Sequence, residues 1–290
     1  MTQATIGLIG GSGLYAMEDL TDIEEVYLET PYGTPSDTYI LGTIAGQRVA
    51  FLPRHGRGHR LMPTEAPSRA NIYGFKQLGV QYLISISAVG SLREDYAPGH
   101  VVIPNQIFDR TKGVRPCTFF GDGVVVHIAF DKPFCSALSQ RLYAAAQAAG
   151  ATVHKGGTYV CMEGPQFSTL AESEENRRRG FDLVGMTALP EAKLAREAEI
   201  AYALLAMVTD YDCWHPDHDA VTVEMVVKVL QSNAKLAQQI IREVLPRIGD
   251  GFASPAHQAL ATAIITDPNV IPPATRERVG LLIGKYLGVK

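Results

Sequence analysis

The sequence predicts an α/β protein with one domain, built on a mixed sheet that helices flank. Three observations indicate this class. Short apolar runs with strand composition alternate along the chain with segments of helical apolar spacing. The run VQYLISISAVG at 80–90 is almost continuously apolar, as in strands that are covered on both faces. Several predicted strands end in polar loops, where α/β sheets bind their ligands.

The first part of the chain is predicted to form mainly strands. Their ranges are 5–10, 38–46, 48–54, 80–90 and 100–108. The second and third form a hairpin with Ala45-Gly46 at its tip, because two strand-like runs flank these residues. A helix is expected from Pro63 to Leu78, since Gly79 occupies the position where glycine commonly ends a helix.

The second part of the chain is predicted to contain more helix. Helical apolar spacing indicates helices at 133–149, 191–199 and 222–248. A buried strand is expected at 201–212, and the segments 157–165 and 182–190 are each expected to run from a strand into a turn. Beyond about residue 250 a helical appendage is expected, with pieces near 255–265 and 274–286. The whole chain, 1–290, is interpreted as one domain that includes this appendage.

Composition excludes several classes of partner. The net charge is -4 and charged residues make up 19%, so no basic field indicates nucleic acid or a membrane surface. The only basic run, Arg177 to Arg179, follows three glutamates and is interpreted as a solvated helix face. The four cysteines show no C-x-x-C spacing, so neither a zinc ribbon nor a disulfide framework is expected. With no signal peptide and no long apolar run visible, a cytoplasmic protein is expected.

A glycine turn follows the first predicted strand. In GLIGGSGLYA, residues Gly11 to Ala16 fit the dinucleotide pattern G-x-G-x-x-A. The sequence TPYGTPSD that comes later lacks the second crossover helix that such a site requires. Backbone N–H groups in a glycine turn, with the hydroxyl of Ser12, are instead suited to a single phosphate. A tight turn that binds no ligand is the alternative.

Two further segments could meet such an anion. Arg54 and His55 follow a strand, and a guanidinium binds phosphate with two parallel bonds while a neighbouring histidine can donate another. A basic surface loop is the alternative, and His59 would complete only two ligands of a metal site. The small residues of SISAVGS at 85–91 let a ligand approach the backbone, or let a helix pack closely.

Two acids end the strand expected at 201–212. Asp210 and Asp212 would point to the same side of a strand, because side chains alternate with a period of two. They are either solvated caps of the next segment or an acid pair with a chemical role. The HPDHD that follows is interpreted as a polar loop and not as a metal site.

The chain resembles the 5′-methylthioadenosine phosphorylases, a family in the trimeric purine nucleoside phosphorylase class. The matching stretches run in order from IGLIGGSGLY to about Ile248 and include TPYGTPSD, FLPRHGRGH, SAVGSLRED, PGHVVIPNQIFDRTKG, GTYVCMEGPQFSTLAES, GMTALPEAKLAREAEI and MVTDYDCW. The resemblance implies one α/β domain with a twisted, partly barrel-like mixed sheet. It also implies a homotrimer, or a dimer of trimers.

The resemblance implies a reaction in which phosphate and methylthioadenosine give adenine and 5-methylthioribose 1-phosphate, in methionine and purine salvage. No metal and no organic cofactor is implied. The residues implied to bind phosphate are Ser12, Arg54, His55, Ser87, Ala88 and Thr187. Met186 would contact ribose, and Phe167 would pack against the purine. Asp210 would be the general acid at N7, with a raised pKa, and Asp212 would accept from the 6-amino group.

The methylthio pocket is implied to lie partly between subunits. Val223 and Val226 match the family's lining positions, and His127 matches a residue that the neighbouring subunit donates. The chain departs from the family pattern at MPTEAPSRAN (62–71), at Gly185 and in the tail beyond Gly249. Two other functions stay open. One is a phosphorylase for methylthioinosine or for 6-oxopurine nucleosides, which the acid pair disfavours, and the other is a nucleotide-binding module without activity.

Overall fold

Four parallel strands stand side by side at the centre of the sheet. Their order is β4 (Gln47–Pro53), β1 (Ile6–Gly10), β5 (Tyr82–Ser91) and β11 (Ala201–Asp210). The structure is a computed structural model that describes residues 3–11, 19–216 and 223–288, and side chains from Asn233 onward in the last long helix. The four central strands are almost wholly buried, as near-continuous apolar runs predict.

Seven further strands extend this centre. β2 (Thr21–Val26) and β3 (Tyr39–Ile44) continue it antiparallel beyond β4. Next to β5 follow β10 (Leu183–Gly185), β9 (Thr158–Met162) and β7 (Gln106–Arg110). Next to β11 follow β6 (Val101–Ile103) and β8 (Val153–Lys155). The described residues therefore form one mixed sheet of eleven strands, as the predicted fold class requires.

Strand β5 changes its neighbour along one edge. β1 pairs with it from Tyr82 to Ser85, and β10 pairs with Gly90 and Ser91. Among the described residues, no strand pairs with 86–89 on that edge. Backbone groups of a sheet that lack a strand partner are available to side chains or to a ligand. In the described part of the chain, the backbone of the β5 segment that contains Ser87 and Ala88 therefore has no strand partner between β1 and β10.

Helices cover both faces of the sheet. On one face lie α2 (Ser136–Ala148) and α5 (Val223–Ile248), whose Leu138, Leu142, Ile241 and Val244 enter one buried apolar cluster. On the other face lie α1 (Ser68–Gln77), α4 (Ala188–Glu197) and α6 (Pro273–Ile283), which share a second cluster. The short α3 (Leu170–Arg178) precedes β10. Arg178 and Arg179 form ion pairs with glutamates three and four residues away, which supports the interpretation of a solvated face for these two, whereas Arg177 donates to the Leu92 carbonyl and lies over the ring of Trp214.

Several predicted boundaries are wrong. The first helix begins at Ser68 and not at Pro63, because Pro67 immediately precedes it and the residues before form turns. The strand expected at 100–108 is two strands, since Pro104 has no N–H to continue a ladder. Strands β2 and β8 were not predicted, because β2 is exposed and charged and β8 has only three residues.

Two expectations concern turns: the hairpin with Ala45-Gly46 at its tip, and the glycine turn that follows β1. Ala45 and Gly46 both have positive φ, 49° and 75°, which confirms the tight turn between β3 and β4. Beyond the glycine turn, β2 pairs antiparallel with β3 and not parallel with β1, so the first described strands do not form a dinucleotide-binding unit. No helix among the described residues is long and apolar enough to span a membrane.

The tail packs against an extended segment of the main body. The backbone N–H of His127 donates to the carbonyl of Ala263, and that of Ile265 donates to Val125. Arg278 pairs with Asp122 at 2.5 Å. In the region of the expected appendage the structure has two short 3-10 turns, Pro255–Gln258 and Pro268–Val270, then α6 and a third 3-10 turn, Gly284–Tyr286.

Candidate active site

The open edge of β5 is where the predicted phosphate residues meet. The hydroxyls of Ser87 and Thr187 lie 2.8 Å apart, although 100 residues separate them in the chain. Thr187 immediately precedes α4, and its N–H donates to the hydroxyl of the buried Tyr159 at 3.2 Å. Ala88 is half-buried beside Ser87. Two hydroxyls and an unpaired strand edge together form a small polar site.

Arg54 lies behind this site and is 4% exposed. Its Nε and Nη2 face the carboxylate of Glu191, and Nη2 also donates to Ser85 Oγ at 2.6 Å. Nη1 donates to the Ile86 carbonyl at 3.2 Å, which leaves one Nη1 hydrogen without an acceptor among the described residues. The two-bond fork expected for phosphate is therefore occupied by the buried carboxylate of Glu191.

His55 follows Arg54 and is neutral. Burial, with the nearby charge of Arg54, lowers the pKa of His55 to about 4. Its Nδ1 lies 2.8 Å from the carbonyl of Leu61, which can only accept, so Nδ1 carries the proton. Its ring stacks on that of His59 at 4.4 Å. Because its one N–H is already donated, Nε2 of His55 is a hydrogen-bond acceptor.

The two acids surround Gly90 at the end of β5. Asp210 is the last residue of β11, and its Oδ2 accepts from the hydroxyl of Thr209 at 2.6 Å. The backbone N–H of Asp212 donates to Asp210 Oδ1 at 2.8 Å. Asp212 has a φ of 54°, so the chain turns after β11 and the acids do not alternate along a strand as predicted. Asp210 and Asp212 lie close together because the chain turns directly after β11.

Both carboxyl groups are buried, and burial changes their chemistry. It raises the pKa of Asp210 to about 6, against the opposing hydrogen bonds from Thr209 and Asp212. It also raises the pKa of Asp212, whose Oδ2 has no hydrogen-bond partner among the described residues. A raised pKa brings the proton affinity of a carboxyl group closer to the working pH, where it can act as a general acid towards a leaving group. A solvated helix cap would be exposed and is excluded for both residues.

The predicted ribose and purine residues lie on loops beside these acids. The side chain of Met186 packs on Gly164, where a Cβ would come within 2.5 Å of its sulfur. Phe167 follows on the same loop and is 44% exposed. The thiol of Cys213 donates to the carbonyl of Ser168 at 3.4 Å and so links this loop to the turn that contains Asp212.

The remaining predicted residues lie elsewhere. His127 is exposed, on the extended segment that the tail supports, and is not brought to the site within one chain. Ser12 lies outside the described residues. Val223 and Val226 lie in the first turns of α5, and their side chains are outside the description.

Four residues of the site were not identified from the sequence. Glu191 neutralises Arg54, and Tyr159 accepts from Thr187. Arg115 and Glu163 form a second buried ion pair at 2.5 Å, beside Met186. For Glu191, Arg115 and Glu163 the one signal in the sequence is a charged residue in a mostly apolar or small-residue stretch, such as Glu191 in MTALPE, and that signal does not identify the partner.

The fold and the site define a protein that can hold an anion at the end of a parallel sheet and donate a proton beside it. The family model of the phosphorylase superfamily matches residues 5–246. The chain therefore belongs to the phosphorylase superfamily.

Relatives with defined activities cover nearly the whole chain. The S-methyl-5′-thioadenosine phosphorylase of Chloroflexus aurantiacus is 70% identical over 99% of this chain and 99% of its own. A methylthioadenosine phosphorylase from an antarctic soil metagenomic library is 49% identical, with a TM-score of 0.93, covering 97% and 99% of the two chains. A variant of the Schistosoma mansoni adenosine/methylthioadenosine phosphorylase, in complex with methylthioadenosine, is 34% identical, with a TM-score of 0.80 over 86% and 93%.

Proposed function

We propose that this enzyme catalyses the phosphorolysis of 5′-methylthioadenosine to adenine and 5-methylthioribose 1-phosphate. The observation that carries the proposal is the buried carboxyl group of Asp210, whose pKa is raised to about 6, beside the open edge of β5. The names of the relatives support it, because all three are phosphorylases of this nucleoside. The reaction transfers a pentosyl group from the purine to phosphate.

Phosphate is proposed to bind at the open edge of β5. Ser87 and Thr187 donate hydroxyl hydrogens, Ala88 donates its backbone N–H, and Arg54 contributes the unused hydrogen of Nη1. His55 accepts from a protonated phosphate oxygen through Nε2, because its proton is on Nδ1. Ser12 in the glycine turn is proposed to complete the site. The site holds the nucleophile and neutralises part of its charge.

The purine is proposed to leave as a neutral base. Breaking the N-glycosidic bond develops positive charge on the sugar and negative charge on the purine, so a proton at N7 lowers the barrier. Asp210 is proposed to donate that proton, and Asp212 to accept from the 6-amino group. Phe167 packs against the purine plane, and Met186 contacts the ribose hydroxyls through its backbone. The exposure of Phe167 leaves its ring accessible to a base.

The methylthio group is proposed to bind between two subunits of a homotrimer, or of a dimer of trimers. Val223 and Val226 line it from one subunit, and His127 reaches it from the neighbour. The exposure of His127 and of the nearby Val125 and Ile265 supports such an interface. Analytical ultracentrifugation tests this assembly, and a monomer that retains full activity would contradict it.

The reaction is proposed to require no metal and no organic cofactor, since phosphate is a substrate and both proton transfer and charge stabilisation come from side chains. The enzyme is proposed to act in the cytoplasm, in methionine and purine salvage. Its four cysteines, Cys117, Cys135, Cys161 and Cys213, are unpaired, which is usual in a reducing compartment.

A substrate comparison tests the proposal. Purine release is measured from methylthioadenosine, methylthioinosine, adenosine and inosine, each with and without phosphate. Phosphate-dependent adenine release, fastest from methylthioadenosine, is expected. A preference for methylthioinosine or inosine would contradict the roles of Asp210 and Asp212 and favour the 6-oxopurine alternative, because a mispaired buried hydrogen bond costs several orders of magnitude.

A further inference from the structure

Arg115 joins three segments that surround the candidate site. It is 7% exposed and lies on the loop between β7 and α2. Its Nη1 donates to the carbonyls of Met186 and Leu189 at 2.5 and 2.8 Å. Its Nε donates to Glu163 Oε1 at 2.5 Å, and its Nη2 donates to the Glu163 carbonyl. The guanidinium therefore connects three segments: its own loop, the loop at 163–169 that contains Phe167, here called the purine loop, and the loop that contains Thr187.

The contact with Met186 sets the direction of the next N–H. A trans peptide is planar, and its carbonyl and N–H point in opposite directions. The carbonyl of the peptide between Met186 and Thr187 is bound by Arg115, and its N–H donates to Tyr159. This peptide is therefore fixed at both ends. Its orientation determines where Thr187 Oγ1 lies, 2.8 Å from Ser87 Oγ.

Glu163 links the guanidinium of Arg115 to the purine loop. Its Oε2 accepts from the backbone N–H of Lys112 at 2.6 Å, while Oε1 accepts from Arg115. It immediately precedes Gly164, on which Met186 packs, and lies four residues before Phe167. The ion pair thus sets the spacing between the proposed purine and phosphate sides of the site.

A buried ion pair is a weak source of stability, because desolvation of two charges offsets their attraction and apolar residues of similar volume serve as well. The acceptors of Arg115 Nη1 are instead specific: the two carbonyls that it binds belong to Met186 and Leu189, on either side of the Thr187–Ala188 segment, while Nη2 binds the carbonyl of Glu163. A structural role alone would not require this choice of acceptors.

We propose that Arg115 is a positioning residue for phosphorolysis, which orients Thr187 for phosphate and Met186 for ribose through their shared peptide. This inference rests on the proposed function. It assigns no direct contact between Arg115 and substrate. The ion pair with Glu163 holds the guanidinium in place.

The test compares wild type with the double variant Arg115→Met/Glu163→Gln, which removes both charges and leaves no uncompensated carboxylate. Arg141→Met is the matched control, because Arg141 also donates to two carbonyls, those of Arg247 and Ala137, but lies on α2, which covers the sheet. Phosphate affinity is measured by calorimetry without nucleoside, and the kcat and KM for methylthioadenosine are measured separately. Melting temperatures are recorded for all three proteins.

The double variant is expected to bind phosphate at least tenfold more weakly and to lose roughly 10- to 100-fold in kcat, as misplaced catalytic groups do. Arg141→Met is expected to match wild type in both. If the double variant fails to fold, Arg115→Lys is measured instead. Its phosphate affinity is expected to lie between the wild-type value and the tenfold weaker value expected for the double variant. Phosphate affinity and kcat within twofold of wild type, in whichever variant folds, would overturn the proposal. Absence of phosphorolysis in wild type would overturn the proposed function, whereas the binding comparison still tests whether Arg115 orients the phosphate site.

Discussion

The backbone N–H of Asp212 donates a 2.8 Å hydrogen bond to Asp210 Oδ1, so the two acids at the end of β11 form one turn. The second oxygen of Asp210 accepts from Thr209. The absence of a Cβ at Gly90 permits this arrangement, because a Cβ there would lie 2.9 Å from Asp210 Oδ1. The carboxyl group is therefore oriented by two bonds, and burial still raises its pKa to about 6.

Replacing Asp210 with asparagine keeps the shape of the side chain and removes the acidic proton. The kcat for methylthioadenosine is expected to fall by roughly 10²–10⁴, the usual effect of losing a general acid. The loss for inosine is expected to be much smaller, because an amide can donate to a 6-oxopurine. Steady-state kinetics on both nucleosides check this, and equal losses would contradict the role in base selection.

Arg54→Met is expected to have two separable effects. It leaves Glu191 buried without its counter-ion, which should cost about 3–5 kcal/mol of unfolding free energy, and it should raise the phosphate KM. The double variant Arg54→Met/Glu191→Gln should recover most of the stability but keep the raised KM. Urea denaturation and phosphate titrations measure the two quantities. A phosphate KM that recovers together with stability would remove Arg54 from the phosphate site.

The raised pKa of Glu197 predicts that the free energy of unfolding depends on pH. Burial raises the pKa of Glu197 to about 7, although its carboxylate accepts from Thr118 and Phe119. From about pH 4.5 to 7 the unfolded chain loses a proton that the native state keeps, so this group's contribution to stability falls as pH rises. The decrease is about 3 kcal/mol.

Glu197→Gln isolates this contribution, because the other buried acids are unchanged. Urea denaturation of wild type and variant at pH 5, 6, 7 and 8 should show that the variant gains about 2.5 kcal/mol relative to wild type across that range, because part of the decrease lies below pH 5. Parallel stability curves would show that the native state does not retain the proton of Glu197.

Gly185→Ala tests the support of Thr187 by Tyr159. A Cβ at residue 185 would lie 2.2 Å from the hydroxyl of Tyr159, which is fully buried. Tyr159 must then shift, and we expect a loss of about 1–3 kcal/mol and a raised phosphate KM. The matched control is Gly280→Ala in α6, where a Cβ meets nothing within 4 Å. That change should stabilise the protein by about 0.5–1 kcal/mol and leave the phosphate KM unchanged. A raised phosphate KM in both variants would contradict the role of Tyr159 in supporting Thr187.

The sequence predicts the buried parts of this fold well and its edges poorly. The near-continuous apolar run at 80–90 identifies β5, because a strand covered on both faces carries an unmistakable pattern. The exposed β2 has no such pattern, since all its residues but Val26 are exposed. The start of α1 was placed too early because periodicity does not show that Pro67 blocks the preceding turn.

The acids and hydroxyl groups of the candidate site are predictable from the sequence, but the residues that hold the site in place are not. Asp210 ends β11 and Thr187 follows β10, at strand ends where ligands of α/β proteins bind, whereas Ser87 lies within β5. Glu191 lies 137 residues from Arg54 along the chain, and Glu163 lies 48 from Arg115. Such pairs depend on the three-dimensional path of the chain, which no local spacing reveals.

The most direct measurement of the central claim is ³¹P NMR of the enzyme with methylthioadenosine and inorganic phosphate, with adenine measured in the same sample. Phosphorolysis predicts that the phosphate signal falls and a sugar 1-phosphate signal rises, in a one-to-one ratio with adenine. Adenine release without a new phosphate ester would show hydrolysis and contradict the proposed role of the open edge of β5. No adenine at all would contradict the proposed activity.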